Sequence, residues 1–122
     1  MLLTNLPRRL RLSLYAAAVG VLLWLTLAPT DELPKVTLWD KAEHALAWFV
    51  LTALGLALSP RRPRAIVVFA LVLGVMVEVL QGTMGVGRDA DWRDVVADSV
   101  GVACAYGLYR LGLHLSARRT RG

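Results

Sequence analysis

Apolar residues fall in four long blocks separated by short polar segments, not in the stripes of a water-soluble amphipathic helix. The first block covers residues 12–28 and follows Arg8, Arg9 and Arg11. The second is apolar only over 45–58, short of the roughly 20 residues that cross a hydrocarbon core. It reaches that length if it begins near Trp39, which draws Asp40, Lys41, Glu43 and His44 into its outer turns. The third covers 65–81, with Glu78 in its last turn, and the fourth covers 93–115, with Asp94 and Asp98 in its first two turns. The pattern predicts an all-α, four-helix transmembrane bundle with spans at about 10–28, 39–58, 65–81 and 93–115, forming one domain over 1–122.

The connections agree with that reading. Pro60-Arg61-Arg62-Pro63-Arg64 is a tight turn whose prolines discourage helix continuation. The other connections, 29–38 and 82–91, are longer, and Gly82, Gly85 and Gly87 let the second bend sharply. Trp39 and Trp92 open the second and fourth spans, where interfacial tryptophans belong. The first block follows basic residues, as a signal peptide does. Its one small-residue site, Ala28, precedes Pro29, so an uncleaved span ended by Pro29 is expected.

Charge then fixes an orientation. The nine acidic residues fall at one set of block ends, and ten of the fourteen basic residues fall at the other. The basic groups are Arg8, Arg9 and Arg11, then Arg61, Arg62 and Arg64, then Arg110, Arg118, Arg119 and Arg121. Arginine and lysine collect in short cytoplasmic segments, so both termini are expected in the cytoplasm, N-in/C-in. A net charge of +5 and a pI near 10.1 would otherwise raise nucleic-acid binding. The arginines border apolar blocks, where they meet anionic headgroups, and nucleic acid is set aside. The 57% apolar content and mean hydropathy of +0.55 fit the same picture. The single cysteine, Cys104, forms no intramolecular disulfide and is expected to pack as a small apolar residue.

Ionisable side chains within spans are costly, at least about 2.5 kcal/mol at the centre and less towards the interface, and they face protein or water. At 100° per residue, Asp91, Asp94, Asp98 and Gly101 lie within about a quarter turn. Ala97, Gly101 and Ala105 form a small-residue stripe beside that arc, suited to close helix packing. Asp40 and His44 share a face of the second helix, flanked by Lys41, and Ala70, Gly74 and Glu78 line one face of the third, with Gln81 a turn beyond. Arg88 lies in the glycine-bearing outer segment. One outward-facing cluster is therefore expected: His44, Glu78, Arg88 and Asp94 foremost, then Lys41, Gln81, Asp98 and Asp40. For any one residue, joining helices is the plainer role, at about 0.6–2 kcal/mol per interhelical hydrogen bond, and Asp40 also suits a helix N-cap. Eight such groups at one depth exceed what assembly needs.

The order of these residues resembles the VanZ-like family of small bacterial membrane proteins. The matching pieces are Asp40-Lys41-x-x-His44, Glu78-x-x-Gln81, and Gly87-Arg88 followed by Asp94, position 98 and Gly101. The similar region is about 36–107. Family members usually carry Asn where this chain has Asp98. The resemblance implies a membrane protein, and for the member that gave the family its name a link to glycopeptide (teicoplanin) resistance.

Three functional readings compete. The favoured one is binding of a membrane lipid or lipid-linked wall precursor, with Arg88 and Lys41 on a phosphate or carboxylate and Glu78, Gln81, Asp94 and Asp98 on hydroxyls or amides. In the second, the chain is an enzyme using His44 and Glu78 as an acid–base pair. No activated nucleophile stands out, and Ser99 faces away from the acidic arc. Asp40, His44, Glu78, Asp94 and Asp98 could also hold a divalent metal, although one histidine among scattered carboxylates is weak support, and neither a metal nor a cofactor is assigned. The third reading is a structural or accessory protein whose cluster only joins helices.

Overall fold

The computed structural model describes residues 5–27, 40–84 and 91–121. Among these the chain is all-helical: α1 (Arg8–Leu27), α2 (Asp40–Leu58), α3 (Pro63–Met84) and α4 (Trp92–Arg121). Expected features at Pro29, Trp39, Gly85, Gly87 and Arg88 lie outside the described residues, as do the side chains of Asp40 and Lys41.

Local chemistry explains the boundaries. Pro63 opens α3, a position that requires no N–H donor, and Ile66 N–H already donates to Arg62 O at 3.2 Å. The turn before it is tight: Ser59 N–H reaches Gly55 O at 2.8 Å and Arg62 N–H reaches Ser59 O at 3.2 Å. Asp91 caps α4, its Oδ1 accepting from Arg93 N–H at 2.9 Å. Arg118, Arg119 and Arg121 sit in the last turn of α4, where positive charge complements the helix dipole. That helps α4 continue to Arg121, past the expected end at 115, and α3 likewise runs beyond Gln81 to Met84.

Three long-range hydrogen bonds fix the arrangement of the helices. Arg11 Nη1 at the start of α1 donates to Leu58 O, the last carbonyl of α2, at 2.9 Å. Tyr109 OH, in the second half of α4, donates to Pro60 O in the α2–α3 turn at 3.0 Å. At the other end, Gln81 Nε2 in α3 donates to Thr26 O in α1 at 2.6 Å. Successive helices therefore run up and down, so α2 and α4 begin at the end where α1 and α3 finish.

Helices α2 and α4 pack closely at Gly101. A Cβ there would overlap Ala45 O and lie 2.9 Å from Phe49 N. Ala97 and Ala105, one turn either side, are also buried, so the small-residue stripe of α4 is the seam along which it meets α2. Trp48 on α2 is wholly enclosed, and its Nε1–H donates to Ala70 O of α3 at 2.9 Å.

The distribution of polarity is inverted. Phe69, Val72, Val75, Met76 and Val79 of α3 are exposed, Val72 by 60%, whereas Glu78 and Gln81 of the same helix are buried. Helices α1 and α3 are long and apolar enough to cross a membrane. The apolar part of α2, Ala42–Leu58, is shorter, and α4 carries Asp94, Asp98 and Arg110. Cys104 is exposed and so does not take the expected packing role. Its neighbours on the helix, Gly101 and Ala105, occupy the buried seam instead.

Candidate functional site

The site lies where α2 and α4 begin and α3 ends, and it centres on His44. One ring nitrogen, Nδ1, is 3.0 Å from Asp98 Oδ1. The other, Nε2, is 3.6 Å from Asp94 Oδ2. Asp94 and Asp98 stand four residues apart on α4, so one helical turn presents both carboxylates to a single imidazole. All three side chains are buried, Asp98 to 1% exposure.

Neighbouring residues hold this ring in place. Trp48, one turn along α2, stacks on it with centroids 6.0 Å apart and planes 15° apart. Because the Trp48 indole is tied to Ala70 O, the imidazole plane is referenced to α3 as well as to α4. Gly74 of α3 leaves room for the same group: a Cβ there would sit 3.1 Å from Asp98 Oδ2 and 3.3 Å from Trp48 Nε1. The stripe Ala70, Gly74 and Glu78 thus faces the α2–α4 seam.

Glu78 supplies the third carboxylate. Its Oε2 accepts from Asp91 N–H at 2.6 Å, joining the end of α3 to the N-cap of α4. Its Oε1 is buried, with no hydrogen-bond donor among the described residues. One ligand atom each from His44, Glu78 and Asp94 lie within 4.8 Å of one another.

Of the eight residues expected in the cluster, four converge: His44, Glu78, Asp94 and Asp98. Gln81 is buried at the same end, but its amide donates to Thr26 O of α1 and so serves the α1–α3 junction. Arg88 and the side chains of Asp40 and Lys41 lie outside the described residues. Trp48 and Thr52, absent from the expected cluster, follow His44 at four-residue intervals on the same face, and both are fully enclosed. The sequence places Asp91 on the acidic arc but not in the cluster.

Chemically, Asp98 sets the imidazole tautomer. An ionised Asp98 accepts a hydrogen bond only from a protonated Nδ1, which turns Nε2 towards Asp94. No hydroxyl or thiol among the described residues joins this group: Ser99 Oγ donates to Val95 O at 2.8 Å, and Cys104 is exposed.

A family model described as VanZ/LLP1 matches residues 14–113. No curated protein and no solved structure matches the chain.

Proposed function

The chain belongs to the VanZ/LLP1 family, and from that premise we propose a four-span protein of the bacterial cytoplasmic membrane, N-in/C-in, that binds the polar headgroup of an envelope lipid or lipid-linked wall precursor. The observation that carries this reading is the burial of His44 of α2 between Asp94 and Asp98 of α4, beside Glu78 of α3. Joining helices needs far less: one or two neutral hydrogen bonds suffice, and each charged group adds desolvation cost.

Several features support the membrane setting. Exposed apolar side chains cover α3 and much of α1 and α4, a surface that lipid tails accommodate and water does not. Arg11 and the α2–α3 turn with Arg61 and Arg62 lie at the end opposite His44, which favours a cytoplasmic basic end and an extracytoplasmic site. A site in the outer turns of its helices stands at headgroup height. Its carboxylates suit hydroxyl, amide or ammonium donors, and Arg88 and Lys41 are the residues proposed for an anionic group.

Native mass spectrometry of the purified protein tests this. Wild type should retain phospholipid or polyprenyl-phosphate adducts that His44→Ala, Asp94→Asn and Arg88→Ala lose while remaining folded. Identical adducts in all four proteins would refute it. The link to teicoplanin follows only if the bound molecule is a wall precursor, and deletion and complementation with these variants would read that out as a change in susceptibility.

A hydrolytic reading has one observation in its favour, the Asp98–His44 hydrogen bond that orients a general base. Water would then be the nucleophile and Glu78 the acid. Turnover of a supplied lipid by wild type but not by His44→Gln would establish it over binding alone.

A further inference from the structure

We infer that His44 Nε2 and one carboxylate oxygen each from Glu78 and Asp94 form a three-ligand site for a divalent first-row transition-metal ion, Zn2+ or Mn2+. This deepens the headgroup reading by naming what would meet the headgroup, and rests on it only for that step.

Spacing is the first argument. Ligands about 2.0–2.2 Å from Zn2+ at tetrahedral angles are about 3.4 Å from one another. The His44 Nε2 to Asp94 Oδ2 separation is 3.6 Å, and one ligand atom each from His44, Glu78 and Asp94 lie within 4.8 Å of one another. Small side-chain rotations bring all three onto one ion.

The surroundings match those of metal ligands. A metal-bound imidazole commonly donates its other N–H to a carboxylate, which fixes the tautomer and aims the ring. Asp98 takes that place at 3.0 Å from Nδ1. Ligating carboxylates are themselves hydrogen-bonded, and Asp91 N–H does this for Glu78 Oε2 at 2.6 Å.

Glu78 Oε1 supplies the independent observation. Glu78 is 6% exposed, and among the described residues this oxygen has no hydrogen-bond donor. Leaving a buried carboxylate oxygen unsatisfied is expensive. A protonated His44 would ion-pair with Asp94 and Asp98 but leave Oε1 without a donor, and a proton shared by Glu78 and Asp94 would neutralise only that pair, whereas a dication engages Glu78, Asp94 and His44 together. One nitrogen and two oxygens on three rigid helices favour Zn2+ or Mn2+ over Cu(I), which prefers sulfur.

The test uses the full chain in detergent, stripped with EDTA and dialysed against Zn2+ alone or Mn2+ alone. Wild type should take up one equivalent by elemental analysis, with Mn2+ losing its free-ion EPR signal. Glu78→Gln and His44→Gln, which keep side-chain volume, should bind at least tenfold more weakly, and Asp98→Asn about 10–100-fold more weakly as a positioning residue. Circular dichroism and monodispersity confirm that each variant is folded. Absence of stoichiometric uptake by wild type overturns the inference, as does unchanged affinity in Glu78→Gln and His44→Gln. Lipid adducts measured on the same samples keep the two readings apart. Adducts without ion uptake leave headgroup binding intact and remove the metal, and ion uptake without adducts does the reverse.

Discussion

His44 and Asp98 lie 54 residues apart in sequence, yet their side chains meet at 3.0 Å inside the molecule. That contact joins α2 to α4 and orients the imidazole, so the two residues serve assembly and site geometry at once. Asp98→Ala, set beside Asp98→Asn, should separate the two roles from charge. It strips the acceptor from a buried Nδ1–H, at about 1–3 kcal/mol, and removes packing against Gly74. Asp98→Asn retains a side-chain oxygen that can accept the same bond and should destabilise less. Reversible unfolding in mixed micelles would compare the two, and equal losses would mean that the hydrogen bond contributes nothing.

Glycine positions allow a sharper comparison. At Gly101 a methyl group would overlap Ala45 O, a backbone atom that cannot rotate away. Gly101→Ala should push α4 off α2, cost about 1–3 kcal/mol or more, and part His44 from Asp98. At Gly107, on the same helix, a Cβ would have no neighbour within 4 Å. Gly107→Ala should be neutral or stabilising by up to about 1 kcal/mol, the difference in helix propensity. Thermal unfolding of the two variants side by side checks this, and similar behaviour would contradict the close crossing.

These residues also mark how far the sequence could be read. Carboxylates and an imidazole inside apolar blocks are conspicuous because they carry a desolvation cost. Asp94 four residues from Asp98, and Glu78 four from Gly74, set those carboxylates on helix faces turned into the bundle. The stripe Ala97, Gly101 and Ala105 announced a close seam for the same geometric reason. Contacts to backbone carbonyls left no such trace. Nothing in the sequence says that the Gln81 amide meets Thr26 O, or that the Trp48 indole meets Ala70 O, because every residue offers the same acceptor. Cys104 is exposed, not packed, because a block that is apolar on all faces does not reveal which face is buried.

The Gln81 contact yields its own prediction. Because its amide spans α3 and α1 at 2.6 Å, Gln81→Leu should loosen the packing of α1, with a loss of about 1 kcal/mol. Lipid adducts and ion uptake should remain as in wild type. Protease sensitivity near the end of α1 and native mass spectrometry measure the two effects separately. Loss of ligand without loss of stability would return Gln81 to the binding site.

Orientation is open to a direct chemical test. A chain with Cys104 replaced by alanine offers no competing thiol, so single cysteines can be placed at the two ends of α3. Arg62, just before α3, is exposed beside basic neighbours, and Thr83, near its other end, is exposed close to the His44 site. If positive charge holds the α2–α3 turn in the cytoplasm, a membrane-impermeant maleimide should label Thr83→Cys in intact cells. It should reach Arg62→Cys only after permeabilisation. The opposite pattern would place the acid–imidazole site on the cytoplasmic side and exclude any ligand presented from outside. Labelling of both residues in intact cells would mean that α3 does not span the membrane, and the headgroup reading would fall with it.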